Sequence, residues 1–145
     1  MWMMHVTVEK KISLTSDVFE IHYKLPEEKT MLPGQFITFI LPWIWGRSYS
    51  ILEIKKDIAV LIIKKWEIQD GGRWWSIALC DAHIWDEFKA VWPAGHFILQ
   101  DNTENKLFLG TGTWLVPLYS QILAWLRKNS SELYLSLIHI WRCRR

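Results

Sequence analysis

Between His5 and Val91 the sequence divides into short stretches that read as strands, each bounded by polar residues or by Gly and Pro. This spacing constrains the fold more than any single motif. Asp17–Leu25 shows the pattern most clearly. Val18, Glu20, His22 and Lys24 fall on one face, and Phe19, Ile21, Tyr23 and Leu25 on the other. That is the two-residue period of a strand with one wet and one dry face. His5–Ile12 alternates more loosely and gives a first strand. The polar cluster Pro26-Glu-Glu-Lys-Thr30 is a turn. Gln35–Leu41 is a third strand, buried by Phe36, Ile37, Phe39 and Ile40. Ser48–Lys55 and Asp57–Lys65 form a hairpin about Lys55-Lys56-Asp57, and Glu87–Val91 is a sixth strand. Ser76–Ala82 reads as one short helix. Six short strands at this spacing predict a mostly β fold, a closed antiparallel barrel.

Beyond the barrel the pattern changes. Asp101-Asn-Thr-Glu-Asn105 is polar and reads as a linker. Lys106-Leu-Phe-Leu-Gly110 follows as a short apolar strand. From Leu115 to Leu126, Leu115, Leu118, Tyr119, Ile122, Leu123 and Leu126 recur at helical spacing, with Pro117 in the first turn, where proline is tolerated. This is the opening β-α of a Rossmann-like unit. Glu132–Leu135 begins another strand.

Composition removes several functions. The 145 residues suit one domain of ordinary size; 50% are hydrophobic and 22% charged, a globular balance. A net charge of +2, with basic residues scattered except at the extreme end, does not suggest nucleic acid. No apolar run reaches the length of a membrane span, and Met1–Thr7 is too short for a signal peptide. Two cysteines make no disulfide framework, so a cytoplasmic protein is expected. His5, His22, His83 and His96 lack metal-ligand spacing, and no metal site is expected. Cys80 reads as a small core residue, His96 as a turn residue.

The chemistry concentrates at Gly46-Arg47-Ser48-Tyr49-Ser50. Strand alternation sends Arg47 and Tyr49 one way and Ser48 and Ser50 the other. A guanidinium holds phosphate bidentately, a ring covers a planar ligand and a hydroxyl bonds a ring nitrogen. Arg-x-Tyr-Ser resembles the flavin motif of the ferredoxin–NADP+ reductase-like family. Three further stretches fall in that family's order: Pro33-Gly34-Gln35-Phe36 before it, Gly71-Gly72-Arg73-Trp74-Trp75-Ser76 after it, and Gly110-Thr111-Gly112-Thr113-Trp114-Leu115-Val116-Pro117 last. The resemblance covers roughly Val6 to Gln121.

The tryptophans depart from this pattern. The chain has 11 Trp and only 7 Gly, although glycine alone normally makes up about 7% of residues. Trp43, Trp45, Trp74, Trp75, Trp85 and Trp92 stand beside Pro, Gly or acidic residues in turns, where glycine supplies unusual backbone angles. Against the family, Trp75, Trp92 and Trp114 replace motif glycines. The expectation is that many of these tryptophans are glycines, encoded by UGA, which some bacterial lineages read as glycine. Leu135–Arg145 resembles the translation of a transposase sequencing adapter with TGA under Trp141, and is set aside as non-biological.

The resemblance implies a Greek-key FAD-binding barrel over residues 1–101. The start of a truncated NAD(P)-binding domain comes next, over 102–134, with the adapter over 135–145. It implies that Arg47 pairs with the flavin nucleotide's phosphates, with Ser48 beside it. Tyr49 then covers the isoalloxazine and Ser50 bonds its N5 edge; these two are the expected catalytic residues. Ile62, Ile63 and Lys64 line the flavin from the adjacent strand. Gly72, Trp74, Trp75 and Ser76 stand where a pyrophosphate meets a helix start, which favours FAD over FMN; that site requires glycine at 74 and 75. Gly110, Thr111, Gly112 and Thr113 hold the nicotinamide nucleotide, with Thr111 near both rings. The implied activity passes electrons between NAD(P)H and a one-electron carrier (a ferredoxin, a flavodoxin or an iron–sulfur subunit) through FAD, the fragment itself being inactive. An electron-transfer subunit of a larger enzyme, such as dihydroorotate dehydrogenase, is a close variant. A barrel that binds flavin without redox turnover is the alternative.

Overall fold

The computed structural model describes residues 2–40, 46–66, 74–102 and 106–128, apart from the side chains of Trp2 and Pro93. Six strands form in chain order: β1 (Trp2–Ser13), β2 (Val18–Lys24), β3 (Phe36–Ile40), β4 (Arg47–Lys55), β5 (Ile58–Lys64) and β6 (Glu87–Ala94). Helix α1 (Trp74–Asp81) lies between β5 and β6. A 3-10 turn, Gly112–Trp114, leads into α2 (Leu115–Lys128).

The strands close into an antiparallel barrel in the order β1-β2-β5-β4-β3-β6. Strands β3, β4 and β5 succeed one another as neighbours. The chain then returns through α1 to lay β6 beside β3, which is the Greek-key path. β1 outruns the stretch expected from alternation because it serves two partners. Its Trp2–Thr7 half pairs with β6, and its Thr7–Ser13 half with β2. A register shift between Val8 and Lys10 bends it between them. β6 likewise continues to Ala94 because β3 pairs it that far, with Phe36 opposite Ala94.

The interior is filled by the dry faces that the alternation marks. Ile21, Tyr23, Leu25, Ile37, Phe39, Ile51, Leu61 and Ile63 are all buried. Phe39 is the hub of an aromatic group, 4.9 Å from Tyr23 and edge-on to Tyr49 at 6.0 Å and Phe88 at 6.1 Å between centroids. Such pairs add about 0.5–1.5 kcal/mol each beyond their buried area, so the site residue Tyr49 is packed from behind. Helix α1 is fastened at its C-terminal end. Lys11 Nζ donates to the carbonyls of Cys80 at 2.9 Å and Ala82 at 2.6 Å, and Lys65 pairs with Asp81 at 2.5 Å. A cation there satisfies carbonyls that lack a helical partner. Cys80 is buried, as expected of a core residue, and burial first, then Asp81, pushes its thiol up to about 12.

Two expectations change. Lys106–Gly110 is not a strand. It joins no strand ladder among the described residues, and Leu107 and Leu109 stand 82% and 78% exposed. A strand exists only where a neighbour accepts its backbone bonds, and composition cannot supply the neighbour. Helix α1 begins at Trp74 rather than Ser76. The proposed strand Glu132–Leu135 and the tail 135–145 lie outside the described residues, as do Trp43 and Trp45. Among the described residues two non-glycines take left-handed backbone angles: Lys56, in the β4–β5 turn, at φ 58°, and Trp85, before β6, at φ 79°. Glycine is the residue that adopts such angles without steric cost.

Candidate functional site

Strand β4 enters the barrel beside β3 with Phe39 opposite Arg47, Thr38 opposite Ser48 and Ile37 opposite Tyr49. Phe39 and Ile37 face the core, so Arg47 and Tyr49 share the inner face, as the alternation predicts. Ser48 faces outward, where its hydroxyl and that of Thr38 are 2.9 Å apart. The inner face of β4 does not close over at this end. It opens into a cleft of about 520 Å³ lined by Arg47, Ser48, Tyr49, Ile62, Ile63, Lys64, Trp66, Trp75, Ser76 and Thr113.

Four segments far apart in sequence meet here: the head of β4, the tail of β5, the first turns of α1 and the turn before α2. Each contributes a different chemistry. Tyr49 gives a half-buried ring, and Ile62 and Ile63 an apolar wall. Arg47 and Lys64 give two cations, and Ser76 and Thr113 two hydroxyls. Burial, with the nearby Cys80, pushes the Tyr49 phenol up to about 12, so it stays neutral at ordinary pH.

Each cation is held by a neighbour. The Arg47 guanidinium lies over the Trp75 indole at 5.5 Å, and Lys64 Nζ over the Trp66 indole at 5.0 Å. Lys64 also pairs with Asp17 at 3.0 Å. The Thr15 hydroxyl, bonded to that carboxylate at 2.7 Å, and then Lys64 itself hold Asp17 below the usual carboxylate value. Ser76 Oγ accepts the Trp66 backbone N–H at 3.1 Å, which leaves the hydroxyl hydrogen for an incoming acceptor. A cation–π contact contributes about 0.5–2 kcal/mol, and a hydrogen bond to a charged group about 1.5–3 kcal/mol. A hydrogen bond from Arg47 to an anion would thus be at least comparable to its contact with the indole.

Of the residues singled out in the sequence, Arg47, Ser48, Tyr49, Ile62, Ile63, Lys64, Trp75, Ser76 and Thr113 converge on this cleft. Ser50 does not line it. It is half-buried on the outward register beside Phe36. Trp74 is 67% exposed and also away from the lining, whereas Trp75 is buried. Gly110, Thr111 and Gly112 are exposed outside the lining, Gly112 at φ 56°. The exposed Trp114 does not fill the cleft. Gly71, Gly72 and Arg73 lie outside the described residues. Trp66 is the lining residue that the sequence reading missed. Its signal is position: two residues past Lys64, it continues the same face of β5. Among the described residues no group of His, Cys, Asp and Glu could hold a metal, and no helix is long and apolar enough to cross a membrane.

No protein-family model and no curated protein sequence matches the chain. Solved structures do. The ferredoxin reductase in carbazole 1,9a-dioxygenase superposes with a TM-score of 0.79 at 23% identity, over 90% of this chain and 41% of that one. The cytochrome b5 reductase domain of Ulva prolifera nitrate reductase gives 0.70 at 18% identity, over 90% of this chain and 58% of that one. Phthalate dioxygenase reductase, described as transferring electrons from pyridine nucleotides to a [2Fe-2S] centre, gives 0.73 at 19% identity, over 84% and 40%. The chain thus spans 40–58% of these structures and shares with them the barrel fold of ferredoxin reductase-like domains.

Proposed function

We propose that this chain is the flavin-nucleotide-binding part of an FAD-dependent oxidoreductase that passes electrons between NAD(P)H and a one-electron carrier. The cleft carries the proposal: a neutral ring, an apolar wall, two cations and two hydroxyls converge at one end of the barrel. A planar heteroaromatic group joined to phosphates matches that set of donors. FAD, when bound, would supply two-electron exchange with a nicotinamide and one-electron exchange with a carrier. Arg47 leaves the Trp75 face to bind phosphate, Tyr49 covers the ring plane with Phe39 behind it, and Ile62 and Ile63 exclude water. Ser76, two residues into α1, donates toward phosphate beside that helix's first turn. Ferredoxin, flavodoxin or an iron–sulfur subunit is the proposed carrier, by analogy with the similar structures. Thr113 at the cleft favours this reading over a non-redox flavin-binding barrel, because a module that only stored flavin would have no use for a nucleotide loop there.

The same reading takes glycine as the natural residue at many tryptophan positions. The left-handed Trp85 backbone and the exposed indoles of Trp66, Trp74, Trp85 and Trp114 support it. The test titrates FAD into the chain as written and into one with glycine at every Trp from 2 to 125, ending at Tyr134. Flavin fluorescence and the visible spectrum are monitored. Saturable binding is expected, tighter in the glycine form and lost in an Arg47→Ala, Tyr49→Ala pair. A folded barrel of either form that binds no FAD would overturn the proposal.

A further inference from the structure

One buried polar side chain on α2 belongs to no part of the cleft. Gln121 is 5% exposed, and its Nε2 donates to the Phe97 carbonyl at 2.8 Å. Phe97 lies in the segment that leaves β6, so this bond ties the second unit to the barrel's exit. The opposite wall of the contact is Gly34. A side chain's first carbon at Gly34 would sit 2.0 Å from the Phe97 oxygen and 2.5 Å from Gln121 Nε2, and its φ is 100°. Only glycine satisfies both the angle and the approach. The turn around it is closed on itself. The Gln35 N–H donates to the Leu32 carbonyl at 3.0 Å, and the Leu32 N–H to Gln35 Oε1 at 2.8 Å. The Pro33-Gly34-Gln35 turn thus forms a rigid seat, and Gln121 is what sits in it.

Helix α2 has a second attachment at its far end. Arg127 pairs with Glu53 on β4 at 2.7 Å, and Lys128 with Asp101. These pairs are exposed and weak. The buried bond lies between them and the loop that reaches the cleft. Thr113 precedes Gln121 by two helical turns, about 12 Å along the axis. Val116, Pro117 and Leu118 are buried between the two, so a shift at Gln121 is passed along the packed helix toward Thr113.

We propose that Gln121, seated against Gly34 and the Phe97 carbonyl, is a positioning residue that holds the loop ending at Thr113 over the cleft. The proposal rests on the flavin reading for its purpose but not for its geometry, and the test separates the two. Nitroxide labels are placed at Lys24→Cys, on the barrel, and Trp114→Cys, beside Thr113, in a Cys143→Ser background with buried Cys80 retained. Without any ligand, electron–electron dipolar spectroscopy reads the distance distribution between them.

Gln121→Met keeps the size and removes the donor. It is expected to broaden that distribution at least about twofold while far-UV circular dichroism stays that of the folded barrel. Gln121→Glu gives the discriminating readout. Its carboxyl restores the narrow distribution in acid, where it is protonated and donates, and broadens it in alkali, where it is charged and faces a carbonyl. A purely space-filling role would leave Gln121→Met as narrow as the parent and the acid form of Gln121→Glu no narrower than Gln121→Met. With FAD added, iodide quenching of bound flavin rises in Gln121→Met. An unchanged distribution in folded Gln121→Met overturns the positioning role, whether or not FAD binds. A broadened distribution in a chain that never binds FAD upholds it and sinks only the flavin reading.

Discussion

The barrel and the segment C-terminal to it use leucine in opposite ways. Leu61, on β5, is fully buried, and both neighbours of its strand accept its backbone bonds. Leu107 and Leu109 are as apolar and as regularly spaced, yet they face solvent. The difference lies in their surroundings. In the barrel each strand finds a partner on either side, and closure makes the dry face an interior. The segment 106–128 is held to the barrel through one helix: α2 buries Val116, Pro117 and Leu118 and packs on β4, and Gln121 at Phe97, Arg127 at Glu53 and Lys128 at Asp101 add side-chain bonds. A fold that closes on itself is insensitive to the chain beyond it. A segment attached along one helix depends on the contacts of that helix.

The largest test of this contrast is a matched pair. Leu61→Ala is expected to cost about 2–5 kcal/mol in urea unfolding, the range for a cavity in a closed core. Leu107→Ser with Leu109→Ser is expected to stay within about 0.5 kcal/mol. Equal losses would mean that the second unit has a core of its own.

Within the barrel, Trp85→Gly relieves a left-handed angle in a non-glycine residue. It is expected to raise stability by roughly 1 kcal/mol, seen as a higher Tm. Lys56→Gly, at the other such angle, is its control. A fall in Tm for Trp85→Gly alone would show the exposed indole to be a native contact.

The smallest effect concerns the attachment. Arg127 above all, with Lys55 adding to it, holds the Glu53 carboxyl below its ordinary value, and burial, the second-largest effect, opposes them. Because the folded value lies below the unfolded one, the pair's stabilisation is present above the unfolded value and lost as pH falls through the folded one. With Arg127 67% exposed, it contributes less than about 1 kcal/mol. Glu53→Gln should flatten that acid limb of the stability–pH curve. An unaltered limb would place the pair's net contribution at zero.

The barrel was legible because strand alternation is local information: Ile21 and Tyr23 announce a dry face whatever lies across from them. The Lys106–Gly110 strand was not legible as absent, because its state depends on a partner strand. The site was legible where one strand carried it. Arg47 and Tyr49 share a face by simple period. Trp66 escaped because it stands past the end of β5. The Gln121–Phe97–Gly34 contact joins three segments that no periodicity links. Its only trace in the sequence is a glycine after a proline, whose role as a seat for a distant helix appears only in three dimensions.

The ring of strands has one more consequence. With β6 returning to β1, the sheet has no free edge, and a partner cannot dock by extending it with a strand of its own. Recognition therefore falls to side chains and loops, such as those at the barrel's open end, where Trp66, Thr113 and the head of β4 lie. Closure thus guards the barrel against sheet-to-sheet association.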